Sequence, residues 1–480
     1  MSQTKLRKGC IVAVVLYVIL AAAFYWICGD QLHYKDGQTE MLSPSGTIGE
    51  ITADDVVTQR IAVDGDQLLG LTLRGESFAR RNTGHLHIEV YEDTLLATRD
   101  IDINAIEDGI LQIDLESPIP VQDGAVELRI TAPESTQGNA VSLYIGNTRS
   151  ASRAEIAVSM RENERVYLNG EALDGALCLQ IYSREFFQFG SYYWLYAGAV
   201  LAVLCAYCFV VLRKNGAGKR TLVLIVCSTV SRYRFLVKQL VIRDFKTKYK
   251  RSALGVLWSF LNPLLTMMVQ YIIFSTLFRS GIPNFAVYLL TGIVCFSFFN
   301  ESVTMSLVSI VLNANLITKV YIPKYIYPLA RVISSTVNFL LALIPLFAVL
   351  FFSGIPVRRS FLLLPIGLIC LFVLCVGMAL LLSASMVFFR DTQFLWGVVS
   401  MLWMYATPIF YPESIIPAQF MPLYKCNPLY HIIRFIRTIL MEGISPEPKA
   451  YVLMLVASFI PLAVGAYVFK KTQDQFVLNI

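Results

Sequence analysis

The sequence contains few charged residues for its length. Asp, Glu, Lys and Arg make up 15% of the 480 residues, and hydrophobic residues make up 56%. Soluble domains average about 25% charged and about 45–50% apolar residues. This shortage of charge excludes an ordinary soluble protein and predicts a membrane protein.

The charge that is present is unevenly distributed. Residues 29–190 hold 12 basic and 27 acidic side chains, so this acidic region carries a net charge of −15 and the rest of the chain +21. Basic residues beside apolar segments are typical of membrane topology signals, which argues against nucleic acid as a partner. The acidic region has a single cysteine, Cys178, which excludes a disulfide bond within it.

Motifs for catalysis and for cofactor binding are absent. The stretch KNGAGKRT (214–221) resembles a phosphate-binding loop. However, Arg213 stands where the loop needs its first glycine, and Arg220 where Ser or Thr would bind magnesium. No Ser-His-Asp order, zinc motif or pair of carboxylates stands out in residues 213–480. The sequence therefore predicts no catalytic residues, no cofactor and no metal in this chain, and any chemical energy must come from a partner.

Two apolar stretches enclose the acidic region. Residues 9–28 contain no charge and are long enough, at 1.5 Å per residue, to cross the roughly 30 Å hydrocarbon core. Basic residues precede this stretch, and its aromatic end lacks the small residues of a cleavage site, so we expect an uncleaved anchor with its N-terminus inside. Residues 191–212 are followed by Arg213 and Lys214, which predicts a helix that returns to the inside. The acidic region is thus expected to be extracytoplasmic.

Six further stretches are candidate spans, at residues 255–278, 285–312, 332–354, 361–389, 394–410 and 451–469. Most of their basic flanks fall inside by alternation, whereas Arg358 and Arg359 fall outside. The predicted fold class is an α-helical polytopic membrane protein with eight transmembrane helices and both termini cytoplasmic. The predicted domains are an anchor (1–28), an extracytoplasmic domain (29–190), a second transmembrane helix (191–212), a basic linker with an interface helix (213–254) and a six-span core (255–480).

Apolar and polar residues alternate along the acidic region. Turn-forming clusters such as RRNTG and VQDG separate the runs at the spacing of an antiparallel sandwich, so we expect a jelly-roll-like β-sandwich. The residues predicted to face its core are Leu69, Leu71, Leu73, Leu86, Ile88, Val90, Leu111, Ile113, Leu115, Val126, Leu128, Ile130, Val141, Leu143 and Ile145.

One stretch of this region, FARRNTGHLHIEVYEDTLLATRD (78–100), resembles β-sandwich domains attached to membrane proteins of polysaccharide synthesis and export. On this resemblance Tyr91, His85 and His87 are candidate glycan contacts. A spacer or assembly domain is the alternative, since sugar-binding faces usually carry exposed rings and the region has no tryptophan. The two histidines share one strand face, where a solvated surface is more common than a metal pair.

Residues 236–265 join a basic segment to an apolar one. Apolar residues recur every three or four positions and cations occupy the other side, which predicts an amphipathic helix on the inner leaflet. An anchor that only binds lipid is the alternative. The predicted interface-helix residues are Arg243, Asp244, Phe245, Lys246, Lys248, Tyr249, Lys250 and Arg251.

The stretch RDFKTKYKRSALGVLWSFLNP (243–263) resembles the interface helix and first span of type-2 ATP-binding cassette export permeases, most closely the teichoic-acid and O-antigen polysaccharide exporters. FFRDTQFLWGVVSMLWMYATPIFYPESIIP (388–417) and NPLYHIIRFIRTILMEG (427–443) match the family in order and spacing, and the resemblance covers about residues 230–480.

This resemblance implies a non-enzymatic permease subunit in the cytoplasmic (inner) membrane of a bacterium. Two copies of the chain would form a channel for a lipid-pyrophosphate-linked polysaccharide. A separate ATPase subunit would bind ATP and magnesium.

Residues 406–443 are rich in proline and alternate apolar pieces too short to span a bilayer. This pattern predicts re-entrant half-helices over a pathway, with an ordinary extracellular loop as the alternative. Glu301 is the one acid inside a predicted span, so its carboxylate is a functional candidate, with helix packing as the alternative. The residues predicted to line the pathway or its gate are Trp258, Glu301, Trp403, Tyr405, Pro408, Phe410 and Tyr411.

The loop at residues 313–332 lies between the second and third core spans. In the resembled family this loop docks onto the ATPase, which makes Lys319, Ile322, Pro323 and Lys324 the coupling candidates. A short basic loop that only sets topology is the alternative.

A membrane-bound enzyme of cell-surface polysaccharide assembly is the alternative function. Such a glycosyltransferase or ligase, with a glycan-binding outer domain, predicts clustered acids near the membrane. Residues 213–480 contain seven acids, which are spread along the chain.

Overall fold

The computed structural model describes residues 3–39, 41–78, 80–105, 109–146, 165–216, 222–249, 255–278, 284–319 and 322–479. The chain divides into two compact units. One unit comprises residues 30–194, and the other joins residues 1–29 to residues 195–480. The first is built mainly of β-strands and the second of helices.

The strands of the β unit are short and follow one another closely along the chain. They are β1 (Tyr34–Gln38), β2 (Gly46–Thr47), β3 (Val56–Ala62), β4 (Gln67–Glu76), β5 (His85–Tyr91), β6 (Leu95–Asp102), β7 (Ile110–Pro120), β8 (Ala125–Thr131), β9 (Ser142–Gly146), β10 (Val166–Leu168), β11 (Glu171–Ala172), β12 (Ala176–Leu177) and β13 (Leu179–Phe186).

These strands form two antiparallel sheets. One has the order β1-β13-β4-β9-β12, with β2 paired to β9 and β7 to β4, and the other has the order β11-β10-β3-β8-β5-β6. Buried residues of both sheets, such as Leu71, Leu143 and Ile130, belong to one hydrophobic core. The sheets therefore face each other across a shared core, as in a β-sandwich. The first and last strands of the unit are paired, with Tyr34 opposite Phe186.

The alternation of β4 differs from expectation at its start. Leu68 is fully buried and Leu69 only half-buried. The register of β4 against β7 shifts between Leu68 and Gly70, which is a β-bulge. Because a bulge adds one residue to a strand, it changes which side chains face the core. Leu71 and Leu73 point inward as predicted, whereas the prediction for Leu69 was wrong.

The helices begin and end as follows: α1 (Gln3–Cys28), α2 (Phe189–Gly216), α3 (Leu222–Tyr249), α4 (Trp258–Phe278), α5 (Phe285–Leu307), α6 (Ser309–Leu312), α7 (Ala314–Lys319), α8 (Ile326–Phe352), α9 (Leu364–Phe388), α10 (Thr392–Tyr405), α11 (Met421–Lys425), α12 (Pro428–Arg437), α13 (Pro448–Thr472) and α14 (Phe476–Asn479). A π-helical turn, Thr438–Glu442, continues α12.

Six helical segments in the described part of the chain are long and apolar enough to cross a membrane. They are Leu6–Cys28, Gly190–Asn215, Phe285–Leu307, Ile326–Phe352, Arg359–Phe388 and Pro448–Asn479. The prediction of a mostly helical chain with a β-rich N-terminal region is confirmed at this level. All six segments lie where a span was predicted.

The other two predicted spans differ from expectation. Helix α10 has 14 residues and ends at Tyr405, so at 1.5 Å per residue it covers only about 21 Å. It ends before Pro408 because the residue preceding a proline disfavours the helical conformation. A continuous span over residues 394–410 is therefore not observed. Helix α4 starts at Trp258 and contains Pro263, and its apolar part is shorter than the six spans above.

Helices α9 and α13 pack closely through two glycines. A Cβ atom added to Gly465 would lie 2.1 Å from the carbonyl oxygen of Gly377, and one added to Gly377 would lie 2.4 Å from the nitrogen of Leu462. The missing side chains let the two backbones touch, as small residues do between membrane helices. This contact sets the spacing between these two helices at the C-terminal end of the helical unit.

Helices α1 and α2 contact each other at separate points. The Tyr17 hydroxyl donates to the carbonyl oxygen of Ala197 at 2.9 Å, and Leu6 packs against Val211 near the other end. Most of their remaining side chains are exposed, as expected for apolar helices that face lipid.

Candidate functional site

The helical unit contains a cavity of about 320 Å³ between the end of α3 and helices α4, α5 and α8. Its wall combines polar side chains with aromatic and aliphatic ones. The lining residues are Lys248, Trp258, Ser259, Asn262, Pro263, Thr266, Ile293, Val294, Ser297, Phe298, Glu301, Asn338, Phe339 and Ala342. Such a mixture of apolar surface with a few convergent polar groups is typical of a binding site.

Glu301 lies at the centre of the polar wall. Its Oε1 accepts hydrogen bonds from Lys248 Nζ at 2.8 Å and from Asn338 Nδ2 at 2.7 Å. These contacts join α5 to α3 and to α8, since each residue comes from a different helix. They also satisfy a carboxylate that would be costly in an apolar span without partners.

The structure thus brings together three residues that the sequence singled out for two different reasons. Trp258 and Glu301 were predicted as pathway residues and Lys248 as part of the interface helix, and all three line the cavity. Asn338 was missed. It is the one amide in the predicted span 332–354, where it follows Ser334, Ser335 and Thr336, and such a polar group within a span could have marked it.

A second charged contact fixes α3 against α8. Asp244 is 7% exposed, and its Oδ2 lies 2.9 Å from Arg331 Nη1. Its Oδ1 lies 3.2 Å from Arg243 Nη2, a guanidinium that is half-exposed. Leu240 of α3 packs against Ile326 on the same side. The interface helix is therefore anchored to the core through both an apolar patch and a buried carboxylate.

The other predicted interface-helix residues occupy varied positions. Phe245 is half-buried and Lys246 is exposed. Tyr249 is the last residue of α3, and Lys250 and Arg251 lie outside the described residues. The part of α3 that reaches the cavity is its last turn, which contains Lys248.

The remaining predicted pathway residues lie in a cluster of their own, which we call the 403–411 segment. The hydroxyl of Tyr411 donates to the carbonyl oxygen of Tyr405 at 2.6 Å, and the ring of Phe410 stacks on Phe274 with centroids 5.3 Å apart. Pro408 and Phe410 are buried, whereas Tyr405 is exposed. None of these residues lines the cavity described above.

Asn427 ties this segment to α12. Its Oδ1 accepts from Trp403 Nε1 at 2.8 Å and from the nitrogen of Leu429 at 3.0 Å, and its Nδ2 donates to Thr407 Oγ1 at 2.8 Å. One side chain thus caps α12 and holds the end of α10. The motif Asn-Pro at residues 427–428 is the sequence signal for this cap.

Arg437, at the other end of α12, was not predicted as a site residue. Its guanidinium is 7% exposed and donates to the carbonyl oxygens of Pro408, Tyr288 and Ile409 at 2.6, 3.0 and 3.2 Å. The sequence signal is the second arginine of the run IIRFIRTIL (432–440), which is otherwise apolar apart from Arg434 and Thr438.

The coupling candidates lie next to the C-terminal helix. Lys319 is exposed at the end of α7. Ile322 packs against two apolar clusters, one that includes Leu240 of α3 and one that includes Phe476. Lys324 Nζ donates to the carbonyl oxygen of Gln473 and lies 5.8 Å from the ring centroid of Phe476. Pro323 is half-buried. The ammonium of Lys324 is therefore engaged within the chain, while Lys319 remains accessible, and the coupling role stays a prediction.

The three candidate glycan contacts share the outer face of β5. His87 Nδ1 lies 2.5 Å from Asp100 Oδ1, His85 Nδ1 lies 3.0 Å from Glu134 Oε2, and the Tyr91 hydroxyl donates to Glu89 at 3.1 Å.

The bond to Glu134 raises the pKa of His85, and the bond to Asp100 raises the pKa of His87. Glycan contact at this face stays a prediction. No group of three metal-ligating side chains suited to an ion is found among the described residues.

Comparison with known proteins bears on the helical unit. Residues 236–441 match the family model for the ABC-2 type transporter. The chain is 34% identical over 235 residues to the O-antigen export system permease protein RfbA of Klebsiella pneumoniae, a match that covers 49% of this chain and 90% of the relative. It is 30% identical to RfbA of Myxococcus xanthus, a match that covers 52% of this chain and 96% of the relative. It is 22% identical to the polysialic acid transport protein KpsM of Escherichia coli, a match that covers 51% of this chain and 95% of the relative.

These matches confirm the resemblance seen in the interface-helix and proline-rich motifs. They cover nearly the whole of each relative and about half of this chain. The chain therefore belongs to the ABC-2 type transporter family, among relatives that are named as permeases for polysaccharide export.

Proposed function

We propose that this chain is the permease subunit of an ATP-binding cassette exporter that moves a lipid-linked polysaccharide outward across the cytoplasmic membrane of a bacterium. The observation that carries this proposal is its 34% identity over 90% of a permease named for O-antigen export. The chain itself is not an enzyme in this proposal. A separate ATPase subunit binds ATP and magnesium and supplies the energy.

The cavity around Glu301 is suited to sugar hydroxyls. A carboxylate accepts several hydrogen bonds, and a side-chain amide both accepts and donates them. Glu301 and Asn338 supply one group of each kind. Trp258 adds a ring that is 45% exposed, on which the apolar face of a sugar can stack. Lys248 can interact with the pyrophosphate that links sugar to lipid, because phosphate attracts a lysine ammonium. The cavity is therefore the proposed point where the substrate first contacts the permease.

The 403–411 segment and α12 form the proposed gate on the outer side. In this arrangement all eight predicted spans cross or enter the membrane, both termini are cytoplasmic, and the β-sandwich is extracytoplasmic. Two copies of the chain form the channel. Lys319, Ile322 and Pro323 are the proposed contacts with the ATPase, and Lys319 supports this because it is exposed at the end of a short helix.

The proposal is tested by reconstituting the chain with its ATPase in liposomes and measuring ATP-driven movement of lipid-linked polysaccharide. We expect Glu301→Gln to reduce export by about tenfold or more, because the carboxylate loses its charge-assisted hydrogen bonds to Lys248 and to substrate. Insertion and ATPase binding should be retained.

Glu447→Gln is the matched control, since Glu447 is an exposed acid that does not line the cavity. Export by this variant should equal that of the wild type. Full export by Glu301→Gln would contradict the role of the cavity. Failure of the wild-type chain to bind any ATPase would contradict the permease proposal itself.

A further inference from the structure

The 403–411 segment contains main-chain groups that cannot pair within it. After α10 ends at Tyr405, the chain forms turns and bends up to Pro412 rather than helix. Pro408 is buried and Ile409 is only 1% exposed. Buried carbonyl groups need hydrogen-bond donors, above all at membrane depth. The segment therefore depends on a donor from elsewhere in the fold.

Arg437 is that donor. Its Nη1 donates to the carbonyl oxygen of Pro408 at 2.6 Å, and its Nη2 donates to that of Ile409 at 3.2 Å. Nη2 also donates to the carbonyl oxygen of Tyr288 on α5 at 3.0 Å. One planar guanidinium thus joins the segment to α5 and α12, a geometry that a lysine ammonium cannot reproduce.

The space around the guanidinium is shaped to fit it. The Arg437 Cζ lies 3.4 Å from the centroid of the Tyr288 ring, within range of a cation–π interaction. The Tyr288 hydroxyl itself lies within donating distance of the carbonyl oxygens of Pro408 and Tyr411, at 3.2 and 2.8 Å. One turn further along α5, a Cβ atom on Gly292 would lie 2.8 Å from Nη2. The absence of a side chain at Gly292 therefore leaves room for Arg437.

No carboxylate lies within 4.0 Å of the Arg437 guanidinium among the described residues, in contrast to Arg434 one turn earlier, which is 3.6 Å from Glu413. The attraction that holds the segment is therefore between a cation and carbonyl dipoles. Separating this contact leaves the buried guanidinium and the carbonyl groups without partners, so release requires water or another polar group to take their place.

We propose that Arg437 is a positioning residue that holds the 403–411 segment closed over the transport pathway, and that opening requires its guanidinium to release the carbonyl oxygens of Pro408 and Ile409. The inference rests on the proposed function only in assuming a pathway beneath the segment. It does not depend on which polymer is carried.

The test is leakage through the resting complex. Permease and ATPase are reconstituted in liposomes loaded with carboxyfluorescein, without ATP and without polysaccharide. Arg437→Gln should raise the dye leak by at least about tenfold, the shift in open population expected when a charge-assisted hydrogen bond is lost. Basal ATP hydrolysis should stay close to that of the wild type. Arg437→Lys should leak less than Arg437→Gln, because its ammonium can still reach one carbonyl group.

Arg434→Gln is the matched control, because this arginine lies on the same helix and its side chain is 60% exposed. Its vesicles should be as tight as wild-type vesicles. The proposal is overturned if Arg437→Gln assembles and does not leak, or if Arg434→Gln leaks equally.

Two milder variants test the role of Arg437 if Arg437→Gln does not assemble. Gly292→Ala crowds Nη2, and Tyr288→Phe removes the hydroxyl that donates to the carbonyl oxygens of Pro408 and Tyr411. Each should leak more than the wild type, and tight vesicles from both would overturn the proposal. Because no substrate is present, these outcomes are independent of the test of polysaccharide export.

Discussion

The β-sandwich and the permease place their ionisable side chains in opposite ways. In the sandwich, pairs such as His87 with Asp100 lie on an outward strand face and are open to solvent. In the permease, Asp244 and Arg437 are each only 7% exposed, and each has partners outside its own helix. The same residue types therefore form solvent-exposed pairs in one unit and buried contacts between separate elements in the other.

The energetic difference between these settings is large. An exposed ion pair contributes about 0–1 kcal/mol, whereas removing one partner of a buried pair costs about 3–5 kcal/mol, because a charge is left without compensation. Removing a charge from a buried ion pair of the permease should thus be damaging, whereas removing one from an exposed pair of the sandwich should be nearly silent. The following predictions test this contrast, beginning with the largest effect.

Arg331→Met should destabilise the permease most. It leaves the buried carboxylate of Asp244 with only the half-exposed Arg243, so we expect a loss of about 3 kcal/mol or more. The measurement is the thermal unfolding midpoint of the purified complex. Arg243→Met should have a smaller effect, and Asp244→Asn combined with Arg331→Met should recover part of the loss. Equal decreases in the unfolding midpoint for Arg331→Met and Arg243→Met would contradict the difference expected between buried and exposed partners.

Gly465→Ala tests a joint of the permease that involves no charge. The added methyl group would overlap the carbonyl of Gly377, so α9 and α13 must separate, at a cost of about 1–3 kcal/mol. Gly198→Ala on α2 is the control, because nothing lies within 4 Å of a Cβ atom there. A midpoint for Gly465→Ala that equals the control would show that the two helices are not held at the distance seen here.

His87→Gln tests the sandwich and should have the smallest effect. Asp100 raises the pKa of His87 in the folded state, so the pair adds stability that is fully present below the unfolded value of about 6.5 and is lost as pH rises through the folded value. The loss in free energy of unfolding caused by His87→Gln, obtained from thermal unfolding at each pH, should therefore shrink from about pH 6 to about pH 8, and it should stay below about 1 kcal/mol. Asp100→Asn should remove most of the same pH dependence, and the remainder is due to Glu89, whose Oε1 lies 3.4 Å from His87 Nε2. A loss as large as that from Arg331→Met would contradict the contrast.

Much of the architecture could be predicted from the sequence because burial in lipid and burial in a sheet leave simple periodic patterns. Long apolar runs placed six helices, and alternation placed most inward residues of the sandwich. The β-bulge at Leu68–Gly70 was not predictable, since alternation specifies facing only while the register is regular. The end of α10 at Tyr405 was missed because residues 394–410 are apolar throughout, and hydropathy does not show where backbone geometry changes.

The site could be predicted only in part for a related reason. Glu301 was found because an acid in an apolar span stands out within a few residues of sequence. Its partners Lys248 and Asn338 lie 53 and 37 positions away, and only the packing of three helices brings them together. Arg437 was missed because arginine near an apolar run is usually a topology signal. Its hydrogen bonds go to main-chain carbonyl oxygens, which every residue has, so the residue types of its partners give no signal in the sequence.

The pairing of β1 with β13 has a consequence for how this chain could have arisen. Tyr34 and Phe186 lie opposite each other, with ring centroids 5.7 Å apart, so the sandwich starts and finishes at the same place. A domain whose two ends lie close together can be inserted into the turn of a helical hairpin without separating its two helices. Helices α1 and α2 are such a hairpin, and a short tight turn could close it again. The sandwich is in this sense an exchangeable insert, and an exporter lineage could gain, lose or replace it in one genetic step.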